Sequence, residues 1–266
     1  MINFVVACPG EARALINFYG LKRSSTQSLF PIYEGDEIRL IESGIGQIKA
    51  AAATAYLIGR YSEPKHEVWI NIGIGGHPTL ELGETRIAHK LFCSTNRATF
   101  YPVHVTPLPY PSTTVHTVDK PEENYPDNVI YEMEATAFYS IANRVSPAEL
   151  VHCVKVVSDN RESHWKDLDH ERVSKMIVQA LPKLSSWFKS LKELSLELKN
   201  LEKEPRSYKN LLEIFHFTKT QEIELRDLLR QREVLSLPLI PTEKLRNSKE
   251  FLHVLRKDTL EGAMTR

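Results

Sequence analysis

Short apolar runs alternate with amphipathic stretches over the first 190 residues. Ile2 to Cys8 is apolar apart from Asn3 and reads as a buried strand; Pro9 and Gly10 interrupt it, and a helix follows over Glu11 to Tyr19. Glu37 to Glu42, Val68 to Ile74, Thr85 to Cys93 and Leu150 to Ser158 read as further strands. Between them, Gln47 to Arg60 is Ala-rich and reads as a helix packed closely on a flat surface, and Tyr131 to Arg144 is helix-like. Val173, Met176, Ile177, Ala180, Leu181, Leu184, Trp187 and Phe188 fall at three- and four-residue steps, which predicts a long amphipathic helix over Asp167 to Leu191. Residues 101–128 carry six prolines, Pro102, Pro107, Pro109, Pro111, Pro121 and Pro126, so regular structure is not expected through that stretch.

Strands alternating with helices predict an α/β fold around a largely parallel, buried sheet. From about residue 192 the pattern becomes helical throughout. Leu191, Leu194, Leu198 and Leu201 end at Pro205, and Tyr208 to Phe217, Gln221 to Leu235 and Thr242 to Lys257 read as three more helices. The expected organisation is therefore an α/β domain over 1–191 and a helical extension over 192–266.

Composition narrows the function classes. Hydrophobic residues make up 42% of the chain, enough for a substantial core. Lys+Arg and Asp+Glu each number 34, so there is no basic excess of the kind that phosphate-neutralising nucleic-acid binders carry. No apolar stretch is long enough to span a bilayer. Cys8, Cys93 and Cys153 are odd in number, far apart and set in apolar runs, so they read as small buried hydrophobes in a reducing compartment. The N-terminus lacks a secretory pattern. A cytoplasmic protein is the expectation.

In such sheets ligands bind beyond the carboxyl ends of the strands. Four unusual groups occupy those ends: Glu11, Ser43-Gly44-Ile45-Gly46, Gly73-Ile74-Gly75-Gly76 and Ser158-Asp159-Asn160. Together they could surround one cleft. Each also has a plain structural reading. Glu11 and Glu134 suit the first turn of a helix, Asp159 suits an N-cap, and the glycines suit tight turns. His77, His89 and His164 lack the spacing of a metal site.

Five segments, in order, resemble the superfamily of nucleoside phosphorylases and methylthioadenosine/adenosylhomocysteine nucleosidases. They are Glu11 to Leu15, Glu42 to Ala51, Asn71 to Gly76 with Leu82-Gly83-Glu84, Glu132-Met133-Glu134-Ala135-Thr136-Ala137, and Val156 to Asn160. The resemblance covers roughly residues 1–190 and implies a three-layer fold around a mixed, mostly parallel sheet. It implies cleavage of the N-glycosidic bond of a purine nucleoside by water, without metal or organic cofactor, the alternatives being phosphorolysis and a non-catalytic nucleoside-binding or scaffold role. Glu134 would bind the ribose hydroxyls, Met133 would lie against sugar and base, Asp159 would act as acid toward purine N7, and Glu11 would hold the attacking water. Glu132, Ser43, Gly73, Gly75 and Ser158 would complete the substrate site. A homodimer is implied as well, because family subunits close the 5′ end of one another's site.

The chemistry agrees with those residue types. A ribose cation forms in the transition state, and a carboxylate in a dry, preorganised site stabilises it. The departing purine leaves faster if an acid neutralises it, which asks that Asp159 keep its proton near neutral pH. The sequence also departs from the family. Ile74 stands where the phosphorylase branch has a hydroxyl residue for phosphate, so phosphate as co-substrate would need Ser43, Arg13 and backbone amides instead. The interval between Cys93 and Glu132 is too short for the usual extra strand and helix, leaving Tyr101, Tyr110 and Tyr125 as candidates to stack on a base. Residues 192–266 have no counterpart; they would cover the site, build an oligomer interface or bind a partner protein.

Overall fold

The computed structural model describes residues 1–61, 66–242 and 245–264. They divide into two compact units, Met1–Glu197 and Leu198–Arg266. The first unit contains β1 (Ile2–Val6), α1 (Pro9–Tyr19), β2 (Lys22–Arg23), β3 (Ile32–Glu34), β4 (Ile38–Glu42), α2 (Gln47–Arg60) and β5 (Val68–Gly76). It continues through β6 (Thr85–Cys93), β7 (Thr99–Phe100), β8 (Ser112–Thr117), β9 (Ile130–Glu132), α3 (Ala135–Ala142), β10 (Val151–Asp159) and all but the last turn of α4 (His170–Glu202).

β5 is the hub of the sheet. It runs parallel to β1 on one side and to β10 on the other, and β1 is parallel to β4. At its carboxyl end β5 also pairs antiparallel with β9, through Gly76 and Tyr131. β10 is antiparallel to β6, β6 is parallel to β8, and β8 is parallel to β9, so five strands close into a ring. β1 and β10 are buried along their whole length, as strands covered on both faces should be. Side chains of β1 alternate between two helical layers. Val5 joins Ala53 and Leu57 of α2 and Phe138 and Ala142 of α3, whereas Phe4 meets Tyr19 of α1 and packs edge-on against Phe188 of α4.

Two local expectations change. Regular structure does occur in the proline-rich stretch: β8 lies between Pro111 and Pro121 and is built of Ser, Thr, Val and His, mostly β-branched. Pro111 stands just outside the strand, where its carbonyl accepts the Ile87 N–H at 3.1 Å. The segment Tyr131 to Arg144 is not one helix. It begins in β9 and enters α3 only at Ala135, which puts Glu134 at the N-cap instead of one turn inside.

The second unit holds α5 (Tyr208–Ile214), α6 (Lys219–Val234) and α7 (Ser248–Met264) around a core of its own, with Phe215 and Phe251 stacked at 5.1 Å. Buried Arg232 donates to Asp258 Oδ2 at 2.7 Å and Thr259 Oγ1 at 3.1 Å. α7 starts later than Thr242 because Asn247 Oδ1 accepts the Glu250 N–H at 3.0 Å and caps the helix there. Residues 243 and 244 of that expectation lie outside the described residues. No described helix is long and apolar enough to cross a membrane.

Candidate active site

The carboxyl ends of β1, β5, β9 and β10 converge on a cavity of about 370 Å³. Glu11, Met133, Glu134, Ser158 and Asp159 all line it, together with Glu132, Ile74 and Gly75. Segments far apart in sequence thus meet at one place, as strand ends do in open α/β folds.

One part of the wall is ionic and almost dry. Glu11, Glu132, Glu134 and Lys155 are 3%, 5%, 7% and 1% exposed. Lys155 Nζ pairs with Glu132 Oε2 at 2.8 Å. That same oxygen accepts the Glu134 and Ala135 N–H groups at 3.0 and 2.8 Å, so Glu132 caps α3, and Thr117 Oγ1 donates to its other oxygen at 2.5 Å. Because Glu132 takes the capping work, the Glu134 side chain makes no cap bond and faces the cavity. Its Oε1 accepts the Gly46 N–H at 2.7 Å, which ties the Ser43–Gly46 turn to the Glu132–Ala137 segment. Gly46 has φ of 105°, a conformation in which a side chain is strained.

Burial, followed by the neighbouring Glu132 charge, pushes the Glu134 carboxyl up to about 7, and the Lys155 ammonium only partly offsets them. Glu11 is also raised by burial against the pull of Lys155 and of backbone amides. Burial alone would lower Lys155. Glu132, then Glu134 and Glu11, outweigh it, so the ammonium is held charged with its pKa above the usual lysine range.

Glu11 is fixed from two directions. Oε2 accepts the Ala7 and Cys8 N–H groups at 2.6 and 3.1 Å, closing the start of α1, and Oε1 accepts the Ile74 N–H at 3.0 Å across the sheet. The first-turn reading of Glu11 and its place in the cavity therefore coexist. Gly73 lies beneath it: a Cβ there would sit 2.6 Å from Glu11 Oε1.

Asp159 has a different environment. Ser158 Oγ donates to Oδ1, and the Tyr125 hydroxyl donates to Oδ2. The capping expected of Asp159 is done by Asn160, whose Oδ1 accepts the Glu162 and Ser163 N–H groups, each at 3.0 Å.

Three expected residues lie off the cavity wall. Arg13 is exposed on α1. Ser43 is buried, and its hydroxyl donates to Val6 O at 3.1 Å and to Gly44 O at 2.8 Å. Gly73 makes room for Glu11 as described. None of the candidate stacking tyrosines lines the cavity. Tyr101 is exposed, Tyr110 donates to Ala180 O at 3.3 Å, and Tyr125 is buried behind Asp159. Tyr131 lines the wall instead. Cys8 is not a core residue: it is half-buried at the N-cap of α1 and lines the cavity, with its thiol pushed up to about 12 by burial and by Glu11. His77 Nδ1 accepts the Thr79 and Leu80 N–H groups at 3.2 and 3.0 Å, a turn-forming role.

Sequence reasoning missed Lys155 and the contact of Tyr125. A single lysine inside the otherwise apolar run of β10 was the available signal, since a buried charge requires a partner.

No family model matches the sequence. Solved structures match the fold closely. The methylthioadenosine/adenosylhomocysteine nucleosidase of Helicobacter pylori with butyl-thio-DADMe-Immucillin-A superposes with a TM-score of 0.58 at 11% identity, covering 71% of this chain and 97% of that one. The chain has the nucleoside phosphorylase fold. Two further solved structures agree. The Arabidopsis thaliana 5′-methylthioadenosine nucleosidase gives a TM-score of 0.56 at 16% identity over 73% of this chain and 95% of its own. Futalosine hydrolase of Helicobacter pylori gives 0.56 at 12% identity over 70% and 97%. The curated Bacillus subtilis nucleosidase is 43% identical over 58 residues, which is 21% of this chain and only 24% of that protein's length.

Proposed function

We propose that this protein hydrolyses the N-glycosidic bond of a purine nucleoside. The observation that carries the reading is that Glu11, Met133, Glu134 and Asp159, brought from three strand ends, line one cavity. In this reading Glu134 accepts the ribose hydroxyls. Its charge, with those of Glu132 and Glu11 nearby, stabilises the positive sugar in the transition state more than the neutral ground state. Met133 packs on the nucleoside. Asp159 transfers its proton to the base as the C–N bond breaks, and water held by Glu11 attacks the anomeric carbon.

Water is favoured over phosphate by the fate of the groups that phosphate would need. Ile74 has no side-chain donor, and its N–H is given to Glu11. Ser43 spends its hydroxyl on carbonyls, and Arg13 is exposed away from the wall. The names of the matched nucleosidases support the same class of reaction.

The test is release of free base from adenosine, inosine, methylthioadenosine and adenosylhomocysteine, with and without phosphate. Turnover without phosphate is expected, and Asp159→Asn should lower kcat by about 10²–10⁴-fold. No base from any of the four, or an Asp159→Asn protein as fast as wild type, ends the reading. Turnover that strictly requires phosphate replaces it with phosphorolysis.

A further inference from the structure

We infer that Tyr125 is a positioning residue for Asp159, delivered by the proline-rich segment between β8 and β9. The inference rests on the reading of Asp159 as the acid toward the base. Tyr125 is 3% exposed and does not line the cavity, so it reaches the reaction only through the carboxyl group it touches.

Several independent features hold it there. Its backbone has φ of 46°, a left-handed conformation that a bulky residue rarely adopts and that surrounding structure must impose. Arg161 Nη2 donates to its carbonyl at 3.0 Å. Tyr131 packs edge-on against its ring at 6.0 Å. Gly76 leaves the space: a Cβ at that position would lie 2.6 Å from Tyr125 Cε1 and would also strike Asp159 Oδ2. The phenol then donates to Asp159 Oδ2 while Ser158 holds Oδ1. With a hydroxyl on each oxygen, the carboxyl plane is fixed toward the cavity.

The arrangement has a catalytic consequence. When Asp159 gives its proton to a base nitrogen, the O–H bond breaks, an N–H bond forms, and a carboxylate remains. Tyr125 keeps its own proton, and its hydrogen bond becomes charge-assisted and stronger at that moment. The phenol therefore stabilises the transition state more than the ground state.

The experiment is a cycle of Tyr125→Phe, Asp159→Asn and the double variant, each assayed on the best purine nucleoside and checked by thermal melting. Tyr125→Phe should keep a near-wild-type melting temperature and lower kcat about 10- to 100-fold, with KM changed by less than about threefold. In the Asp159→Asn background the same change should cost almost nothing further, because its effect passes through Asp159. A residue that merely supports the fold would lower both backgrounds by the same factor. Equal losses in the two backgrounds, or a Tyr125→Phe enzyme as fast as wild type, overturn the inference and leave the proposed reaction standing. A wild type that releases no base from any nucleoside removes the reaction itself, and this assignment with it.

Discussion

Two groups of acids on the same cavity wall are built in opposite ways. Glu11, Glu132 and Glu134 share one buried ammonium, Lys155, and are otherwise held by backbone amides and, at Glu132, by the Thr117 hydroxyl. Among the described residues Asp159 has no such cation as a hydrogen-bond partner and is held by two hydroxyls. The first arrangement concentrates negative charge, which forces Glu134 up to about 7. The second fixes a carboxyl by neutral donors that can strengthen as charge appears on it. Under the proposed reaction, residues of almost identical chemistry would do different work: one set would face a developing cation, and the other a departing base.

The contrast predicts a ranking of effects. Lys155→Met is the most severe, because it leaves buried carboxylates without their cation; about 3–5 kcal/mol of stability should be lost in urea unfolding at neutral pH. Unchanged stability would show that the acids do not depend on the lysine. Glu134→Gln should keep the fold and lower kcat/KM about 100-fold. The pH profile sharpens this. With its pKa raised to about 7, Glu134 is protonated below that value and ionised above it. As an acceptor for ribose it works ionised, so wild-type kcat/KM should climb about tenfold per unit below pH 7 and break near that value. Glu134→Gln should flatten that limb; a limb that persists belongs to another group.

Gly73→Ala comes next. The new methyl displaces Glu11 Oε1, and losing its amide bonds should cost about 1–3 kcal/mol in thermal or urea melts. Smallest is Ser43→Ala, which removes one hydroxyl donating to two carbonyls. It should cost at most about 1.5 kcal/mol and should leave turnover equally indifferent to phosphate. A phosphate response altered by this variant would reopen the phosphorolytic alternative.

Much of the molecule was legible before any coordinates. Apolar runs at strand spacing are local consequences of burial, so β1, β5, β6 and β10 fall close to their expected places, whereas the long helix begins at His170 and continues past its expected end at Leu191 to Glu202. β8 was hidden because prolines suggest irregularity, although a strand of β-branched residues fits between two of them. Glu11 and Asp159 were readable as candidates because each stands at a strand end, and Glu134 because the Glu132–Ala137 segment resembles a family motif.

The sequence by itself determined most of the strands and helices and the order in which strand ends present the candidate side chains, since hydrophobic periodicity and turn residues act over a few neighbours. Only the tertiary structure decided how those residues share the work. Glu132, not Glu134, caps α3; Lys155 lies under three carboxylates; and Tyr125 crosses 34 positions of chain to reach Asp159. Such pairings are set by where the sheet closes and by which charges are denied water, and neither of these is a property of any short stretch of sequence.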